Sequence, residues 1–106
     1  MRRRSLGVVT SISHVVLVSW KSGKQIGAEE VVRPAIRSFV RTIPGVLAVV
    51  EGHSSSPEGL EDGYDYGFVV TFATVQARDA YLDDPSHRPV AEAIGAAAER
   101  IVVFDI

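Results

Sequence analysis

The stretch Tyr81-Leu-Asp-Asp-Pro-Ser-His-Arg-Pro89 divides the second half of the chain into two helical segments. Pro85 fixes its own φ angle and has no backbone donor, so the helix that carries Tyr81 should end just before it. His87 is then expected in the tight connection to the next helix, where both side chains can point into one cavity. The spacing alone favours a simpler interpretation, in which Tyr81 is a core aromatic and His87 a solvated turn residue.

Outward from this corner, strand and helix patterns alternate along the chain. The apolar residues recur with a period of two in the strands and of three to four in the helices. Thr74 is a plausible N-cap for the helix that leads into the corner. The predicted elements, in the order β-α-β-β-α-α-β, span residues 12–20, 28–42, 46–51, 64–73, 75–83, 90–99 and 101–106. Their connections predict a ferredoxin-like α+β fold, with an antiparallel four-stranded sheet that carries its helices on one face.

Both faces of this predicted sheet are apolar. Alternation places the aromatic residues of the third strand on the face that contacts the helices. The apolar side chains expected on the other face are Val15, Leu17, Leu47, Val49, Val69, Val102 and Phe104. An exposed apolar sheet invites association, so we predict a homodimer in which two sheets pack through their open faces.

Size and composition indicate one domain and exclude several classes of partner. With 106 residues, 46% of them hydrophobic, a single domain at residues 11–106 is expected after a flexible basic tail at residues 1–10. The 11 basic and 13 acidic residues nearly cancel, so no nucleic-acid partner is expected. No apolar run reaches the ~18 residues that cross a bilayer, so no membrane partner is expected. The lack of cysteine excludes disulfides and fits a cytoplasmic protein.

Short motifs along the chain carry a family resemblance. They are His-Val-Val-Leu in the first strand, Ile-Pro-Gly-Val before the second, Ser-Pro-Glu-Gly-Leu and Gly-Tyr-Asp before the third, and Val-Val-Thr-Phe-Ala-Thr, Tyr-Leu-Asp-Asp-Pro-Ser-His and Val-Phe-Asp after that. Together, from His14 to Asp105, they resemble the stress-responsive α/β-barrel domain family, known as Dabb, which also includes a plant polyketide cyclase. The resemblance implies a dimeric α+β barrel.

The resemblance also implies roles for individual residues. In the cyclase, the histidine after the proline is a general base, and the tyrosine six residues before it binds and polarises the substrate. His87 and Tyr81 match these positions. His14 and Tyr66 match residues that line the cyclase cavity, although Tyr66 stands where the cyclase has a histidine. Further walls of a pocket for a small apolar or aromatic ligand are expected from Trp20, Phe39 and Phe68.

Three functions remain open at this point. The first is a cofactor-independent enzyme of the polyketide-cyclase kind, in which a neutral imidazole takes a proton from a β-keto or aromatic substrate and a phenol stabilises the enolate. The second is a cofactor-free oxygenase with an electron-rich phenolic substrate. The third is a non-catalytic, stress-associated small-molecule-binding or structural dimer. The sequence contains no phosphate-binding glycine loop and no metal-ligand cluster, so neither a cofactor nor a metal is expected.

Overall fold

The computed structural model describes residues 11–106, and the tail predicted at residues 1–10 lies outside them. The elements are β1 (Ile12–Trp20), α1 (Gln25–Thr42), β2 (Val46–His53), β3 (Tyr66–Phe72), α2 (Val75–Tyr81), α3 (Arg88–Ala97) and β4 (Ala98–Asp105). The four strands form one sheet in the order β2-β3-β1-β4, and every neighbouring pair is antiparallel. The predicted element order and ferredoxin-like fold are therefore confirmed.

The helices cover one face of the sheet and form the core with it. α1 turns its apolar stripe inward, and Val32, Ile36 and Phe39 are each at most 1% exposed. The alternate residues of β3 that face the helices are also buried: Tyr66, Phe68, Val70 and Phe72. Burial of each such large apolar side chain contributes about 1.5–3 kcal/mol, so this layer fixes α1 against the sheet.

Element boundaries differ from the prediction for local reasons. β3 begins two residues late because the Tyr64 amide donates to the Glu61 carbonyl at 3.0 Å, in a turn. β4 begins three residues early, at Ala98, which pairs with Trp20 beyond a register shift in β1. Thr74 caps α2 as predicted, with its side chain accepting from the amide at position 77. Turns and long-range pairing therefore decide where these strands begin.

The second face of the sheet carries no helix in the part of the chain described here. Val15 and Leu17 of β1 lie on this open face, together with Val102 and Phe104 of β4, which pair with them. Leu17, Val102 and Phe104 are 37%, 38% and 63% exposed. The sequence prediction of an apolar open face is correct for these strands.

The prediction for Val49 is wrong. Val49 pairs with Val70 on the helix-covered face and packs against the core. The cause is a register irregularity between Val46 and Ala48, which shifts the alternation of β2 by one residue. Val50, which is 70% exposed, takes the place on the open face that was expected for Val49.

Candidate active site at the corner between α2 and α3

A hydrogen-bonded turn holds Tyr81 and His87 together. Tyr81 ends α2, and its carbonyl accepts from the Asp84 amide at 3.1 Å. Asp84 then accepts from two following amides, through Oδ1 from Ser86 at 2.8 Å and through its carbonyl from His87 at 3.0 Å. The centroids of the Tyr81 and His87 rings lie 4.1 Å apart as a result. The corner thus brings the phenol and the imidazole into contact.

His14 of β1 joins this pair from the sheet. It is 5% exposed, and its ring meets Tyr81 edge-on at 5.5 Å between centroids. Its Nδ1 lies 2.7 Å from Asp105 Oδ1, while Arg78 of α2 donates to Asp105 Oδ2 at 2.5 Å. Burial opposes ionisation of Asp105, yet the hydrogen bonds from Arg78 and His14 prevail and lower its pKa. Because the carboxylate can only accept, His14 donates through Nδ1, and in the neutral ring Nε2 carries the lone pair.

The surroundings of His87 favour a neutral base. Its Nδ1 lies 3.4 Å from the Leu82 carbonyl oxygen, a long contact in which only the imidazole can donate. The lone pair of the neutral ring is therefore on Nε2. Burial lowers the pKa of His87 below its ordinary value, against the weaker opposing effect of the Leu82 carbonyl. At neutral pH this imidazole is unprotonated and can accept a proton from a substrate.

Tyr81 is held as a neutral hydrogen-bond donor. Burial raises the pKa of its hydroxyl well above the ordinary value, and the negative charge of Asp105 raises it further. Its ring is fixed by Phe39 and Phe72, whose centroids lie 5.6 Å and 4.9 Å away. A phenol that stays protonated can donate to an oxygen on which negative charge develops.

The remaining predicted pocket residues lie towards the other end of the same layer. Tyr66 pairs with Val18 of β1. Val18 lies four residues from His14, which corresponds to about 13 Å along the strand. The Trp20 ring stacks on the Tyr66 ring, with their centroids 6.0 Å apart, and the Phe68 ring centroid lies 6.1 Å from that of Tyr66. The residues expected around one pocket thus form two groups, and only Phe39 among the expected apolar walls packs against Tyr81 at the corner.

Glu29 of α1 is a buried carboxylate that was not predicted from the sequence. It organises the group formed by Trp20, Tyr66 and Phe68. Glu29 is 9% exposed and accepts from the Trp20 indole at 2.9 Å. His53, at the end of β2, contacts the same carboxylate through Nε2 at 2.7 Å. Glu29 lies three residues before Val32 and seven before Ile36, on the apolar stripe of α1. This spacing was the signal in the sequence that could have indicated its burial.

A second missed carboxylate, Glu51 of β2, joins the sheet to α1. It accepts from the Tyr66 hydroxyl at 2.8 Å, from Arg33 at 2.8 Å and from Arg37 at 3.0 Å. Burial opposes its ionisation, but these three hydrogen bonds outweigh burial and lower the pKa of Glu51 to about 2. The hydroxyl of Tyr66 is therefore engaged in a structural bond at the far end of the layer.

Replacing this carboxylate should destabilise the fold. Glu51→Gln keeps the size of the side chain but removes the ion pairs with Arg33 and Arg37, so that Arg33 keeps only its longer contact with Glu29 at 3.6 Å. We expect a loss of roughly 2 kcal/mol at pH 7, reduced from the value for a fully buried pair because Arg33 is partly exposed. In the wild type this contribution is complete above the ordinary carboxyl pKa of 4.5 and is lost as pH falls towards about 2. Urea unfolding at pH 7 and pH 3 measures both effects. Glu30→Gln, on the exposed side of α1, is the matched control, and equal stability of the two variants would contradict the expectation.

The side chains of residues 11–106 also bear on metal binding and on membrane insertion. No group of three or more histidine, cysteine, aspartate or glutamate side chains in this range is arranged to hold a metal ion. Within the same residues, no helix combines the length and the apolar character needed to cross a membrane.

The antiparallel sheet with helices on one face defines a ferredoxin-like α+β domain. A family model described as the stress responsive A/B barrel domain, Dabb, matches residues 12–106. The chain belongs to this family, and the resemblance found in the sequence motifs is confirmed.

Several proteins are similar to this chain in sequence or in fold. The stress-response A/B barrel domain-containing protein HS1 of Arabidopsis thaliana is 28% identical over 94 residues, which cover 89% of this chain and 86% of that protein. A dimeric ferredoxin-like protein of unknown function from Jannaschia sp. CCS1 has a TM-score of 0.82 at 22% identity, covering 91% of this chain and 97% of that one. A hydroxynitrile lyase from Passiflora edulis has a TM-score of 0.82 at 20% identity, covering 93% and 94%. These two structural likenesses show the fold and carry no activity over.

Proposed function

We propose that this protein is a cofactor-independent enzyme in which His87 removes a proton from a carbon next to a carbonyl group, in a small β-keto or aromatic substrate. The observation that supports this most is the contact of a neutral imidazole with a buried phenol, at 4.1 Å between the His87 and Tyr81 rings. A base and a hydrogen-bond donor so close together can act on one carbonyl compound at once.

The step itself needs only these two groups. The C–H bond breaks, the proton passes to Nε2 of His87, and the electron pair moves onto the carbonyl oxygen to give an enolate. The Tyr81 hydroxyl donates a hydrogen bond to that oxygen as its charge develops. In a cyclase, the enolate carbon then attacks a second carbonyl of the same molecule. His14, fixed by Asp105 at 2.7 Å, supports the Tyr81 ring from the sheet.

The exposed side of His87 is the proposed direction of approach. His87 is half-buried, whereas Tyr81 and His14 are 1% and 5% exposed. Phe39 lies 6.5 Å from the His87 ring and offers an apolar surface to a flat substrate. A substrate that is small and apolar or aromatic suits this setting better than a charged one.

We also propose that the chain forms a homodimer through the open faces of its sheet. The support is the exposed apolar surface of β1 and β4, to which the dimeric state of the Jannaschia relative adds. Burying two such faces against each other removes both from water in one closed assembly. A cytoplasmic location is part of the proposal and is supported by the cysteine-free composition.

A non-catalytic small-molecule-binding or structural dimer is the second candidate. The close packing of Tyr81 against Phe39 and Phe72, at 5.6 Å and 4.9 Å, favours it because such packing is also that of an ordinary core. The oxygenase would use the same histidine to ionise a phenol. A substrate panel that contains β-keto thioesters and electron-rich phenols distinguishes the three functions.

Removal of the Tyr81 hydroxyl should slow the reaction without unfolding the protein. Tyr81→Phe keeps the buried ring but loses the donor to the enolate, so we expect a decrease of about 10- to 100-fold in rate. The readout is the exchange of the acidic C–H of acetoacetyl thioesters for deuterium, followed by NMR. Tyr64→Phe, in the loop before β3, is the control that should retain the wild-type rate. An unchanged rate in Tyr81→Phe would remove Tyr81 from the mechanism.

A further inference from the structure

Arg78 of α2 binds the carboxylate that also fixes His14. It lies in the last turn of the helix, and its side chain is 24% exposed. Nη1 donates to Asp105 Oδ2 at 2.5 Å, and Nε donates to Asp79 Oδ1 at 2.9 Å. The Asp79 side chain is 61% exposed and is therefore screened by water, whereas that of Asp105 is 24% exposed. The ion pair with Asp105 is thus the stronger electrostatic interaction of this guanidinium.

Asp105 divides its two oxygens between two elements. Oδ2 accepts from Arg78 of α2, while Oδ1 lies 2.7 Å from Nδ1 of His14 in β1. The pairing of β4 with β1 places Asp105 directly opposite His14, so the register of the sheet sets this contact. One negative charge is therefore balanced by one guanidinium, and His14 can donate to the carboxylate without becoming charged itself.

Without the guanidinium, the charge of Asp105 would act on His14 alone. An opposite charge within about 4–6 Å shifts the protonation equilibrium of a group by roughly 10- to 1000-fold towards its charged form. The titratable side chains that face His14 from the corner are Tyr81, with ring centroids 5.5 Å apart, and His87, which packs on Tyr81 at 4.1 Å. From β3, the apolar ring of Phe72 lies 6.1 Å away. Because burial raises the pKa of Tyr81, its phenol stays uncharged. The balance between the carboxylate and the guanidinium therefore decides the charge of His14.

A charge on His14 would reach the proposed base. Burial does most to lower the pKa of His87, and a positive charge on His14 lowers it further. A base with a lower pKa takes a proton from carbon less readily, so the enolate forms more slowly. A neutral His14 therefore preserves the basicity of His87.

We propose that Arg78 is a positioning residue for the proton transfer, because its ion pair with Asp105 keeps His14 neutral, with Nδ1 as donor and Nε2 as acceptor. The inference rests on the proposed function of His87 and extends it to a residue that does not contact the base. Arg78 acts through Asp105 and His14, and this chain of contacts joins α2, β4 and β1 at the corner.

The nitrogen chemical shifts of the His14 ring test this role directly, since they show which ring nitrogens carry protons. Arg78→Gln keeps a side chain that can donate to Asp105 but removes the charge. At pH 7 we expect mainly one protonated nitrogen in the wild type and mainly two in Arg78→Gln. Arg78→Lys, which keeps the charge, should restore the wild-type spectrum. Arg88→Gln makes the same substitution at an exposed arginine of the corner and should change nothing.

The pH profile supplies a second measurement, which a merely structural arginine would not change. In Arg78→Gln, the NMR titration of His87 and the midpoint of carbon-acid exchange should both move to lower pH, by roughly half a unit to one unit. The rate above the midpoint should fall severalfold. Adding Asp105→Asn to Arg78→Gln removes the unbalanced carboxylate and should return His14 to its neutral form and His87 to its wild-type titration.

Each outcome decides the role of Arg78. One protonated nitrogen on His14 in Arg78→Gln would overturn the proposal, and so would a double variant that leaves His14 charged. Arg78→Met, a second uncharged variant, must give the same spectrum as Arg78→Gln, and thermal melts confirm that each variant is folded. If the wild type exchanges no carbon acid, the proposed function fails, while the His14 spectra still decide whether Arg78 sets the charge at this position.

Discussion

His87→Ala is expected to lower the rate of carbon-acid exchange by roughly 10²- to 10⁴-fold, which corresponds to about 3–5 kcal/mol of activation free energy. The substitution removes the lone pair on Nε2 that is proposed to accept the proton. The melting temperature should hardly change, because His87 is only half-buried and its ring makes one long hydrogen bond, at 3.4 Å, to the backbone. NMR exchange rates and thermal melts on the same samples separate a chemical from a structural effect.

The neighbouring residue supplies the control for this experiment. Arg88 is exposed at the same corner and contacts the Asp83 carbonyl at 3.3 Å, so Arg88→Ala alters the surface without removing the base. It should retain the wild-type rate. If a good substrate is found that His87→Ala still turns over at the wild-type rate, the proposed mechanism is wrong. If no carbon acid or phenol reacts with the wild-type protein, the non-catalytic function is favoured.

Leu17→Asp is expected to convert the dimer into a monomer at micromolar concentration. Leu17 lies on the open face and is 37% exposed in the single chain, so the isolated fold should tolerate the carboxylate. In the dimer, the same carboxylate would be buried against the second copy without a partner, at a cost of several kcal/mol. Sedimentation velocity measures the change.

A charge placed on the helical layer is the matched control. Ile26 is 78% exposed on α1, so Ile26→Asp introduces the same side chain away from the open face and should leave the dimer intact. A wild-type protein that sediments as a monomer at micromolar concentration would contradict the proposed assembly. Loss of the dimer in Ile26→Asp would instead locate the interface on the helices.

The parts of this fold that depend on local pattern could be predicted from the sequence. The apolar stripe of α1, the inward aromatic face of β3 and the Thr74 cap each follow from residues close together in the chain. The same holds for the contact between Tyr81 and His87, because the two residues lie only six positions apart in the chain and one turn brings their rings together. Short-range constraints on the backbone are strong enough to decide such features.

Features that depend on register and on distant side chains could not be predicted. The register irregularity after Val46 places Val49 on the opposite face of the sheet from the expected one, and no local sequence pattern indicates it. Asp105 meets His14 only because β4 pairs with β1 in one particular register. Glu51 occupies an inward position of β2 that hydrophobicity alone assigns to an apolar residue, and its arginine partners come from α1. A carboxylate such as Glu51, whose burial depends on partners from another element, gives no signal in composition or periodicity.

The pH dependence of carbon-acid exchange, measured beside the NMR titration of the His87 ring, tests the central claim most directly. Burial lowers the pKa of His87 below its ordinary value of 6.5. The proposed base can accept a proton only in its unprotonated form. The rate should therefore be constant near neutral pH and fall about tenfold per pH unit below the pKa at which His87 titrates. Coincidence of the two midpoints is the predicted result. A rate that stays constant through the titration of His87, or that falls at a different pH, would contradict the account.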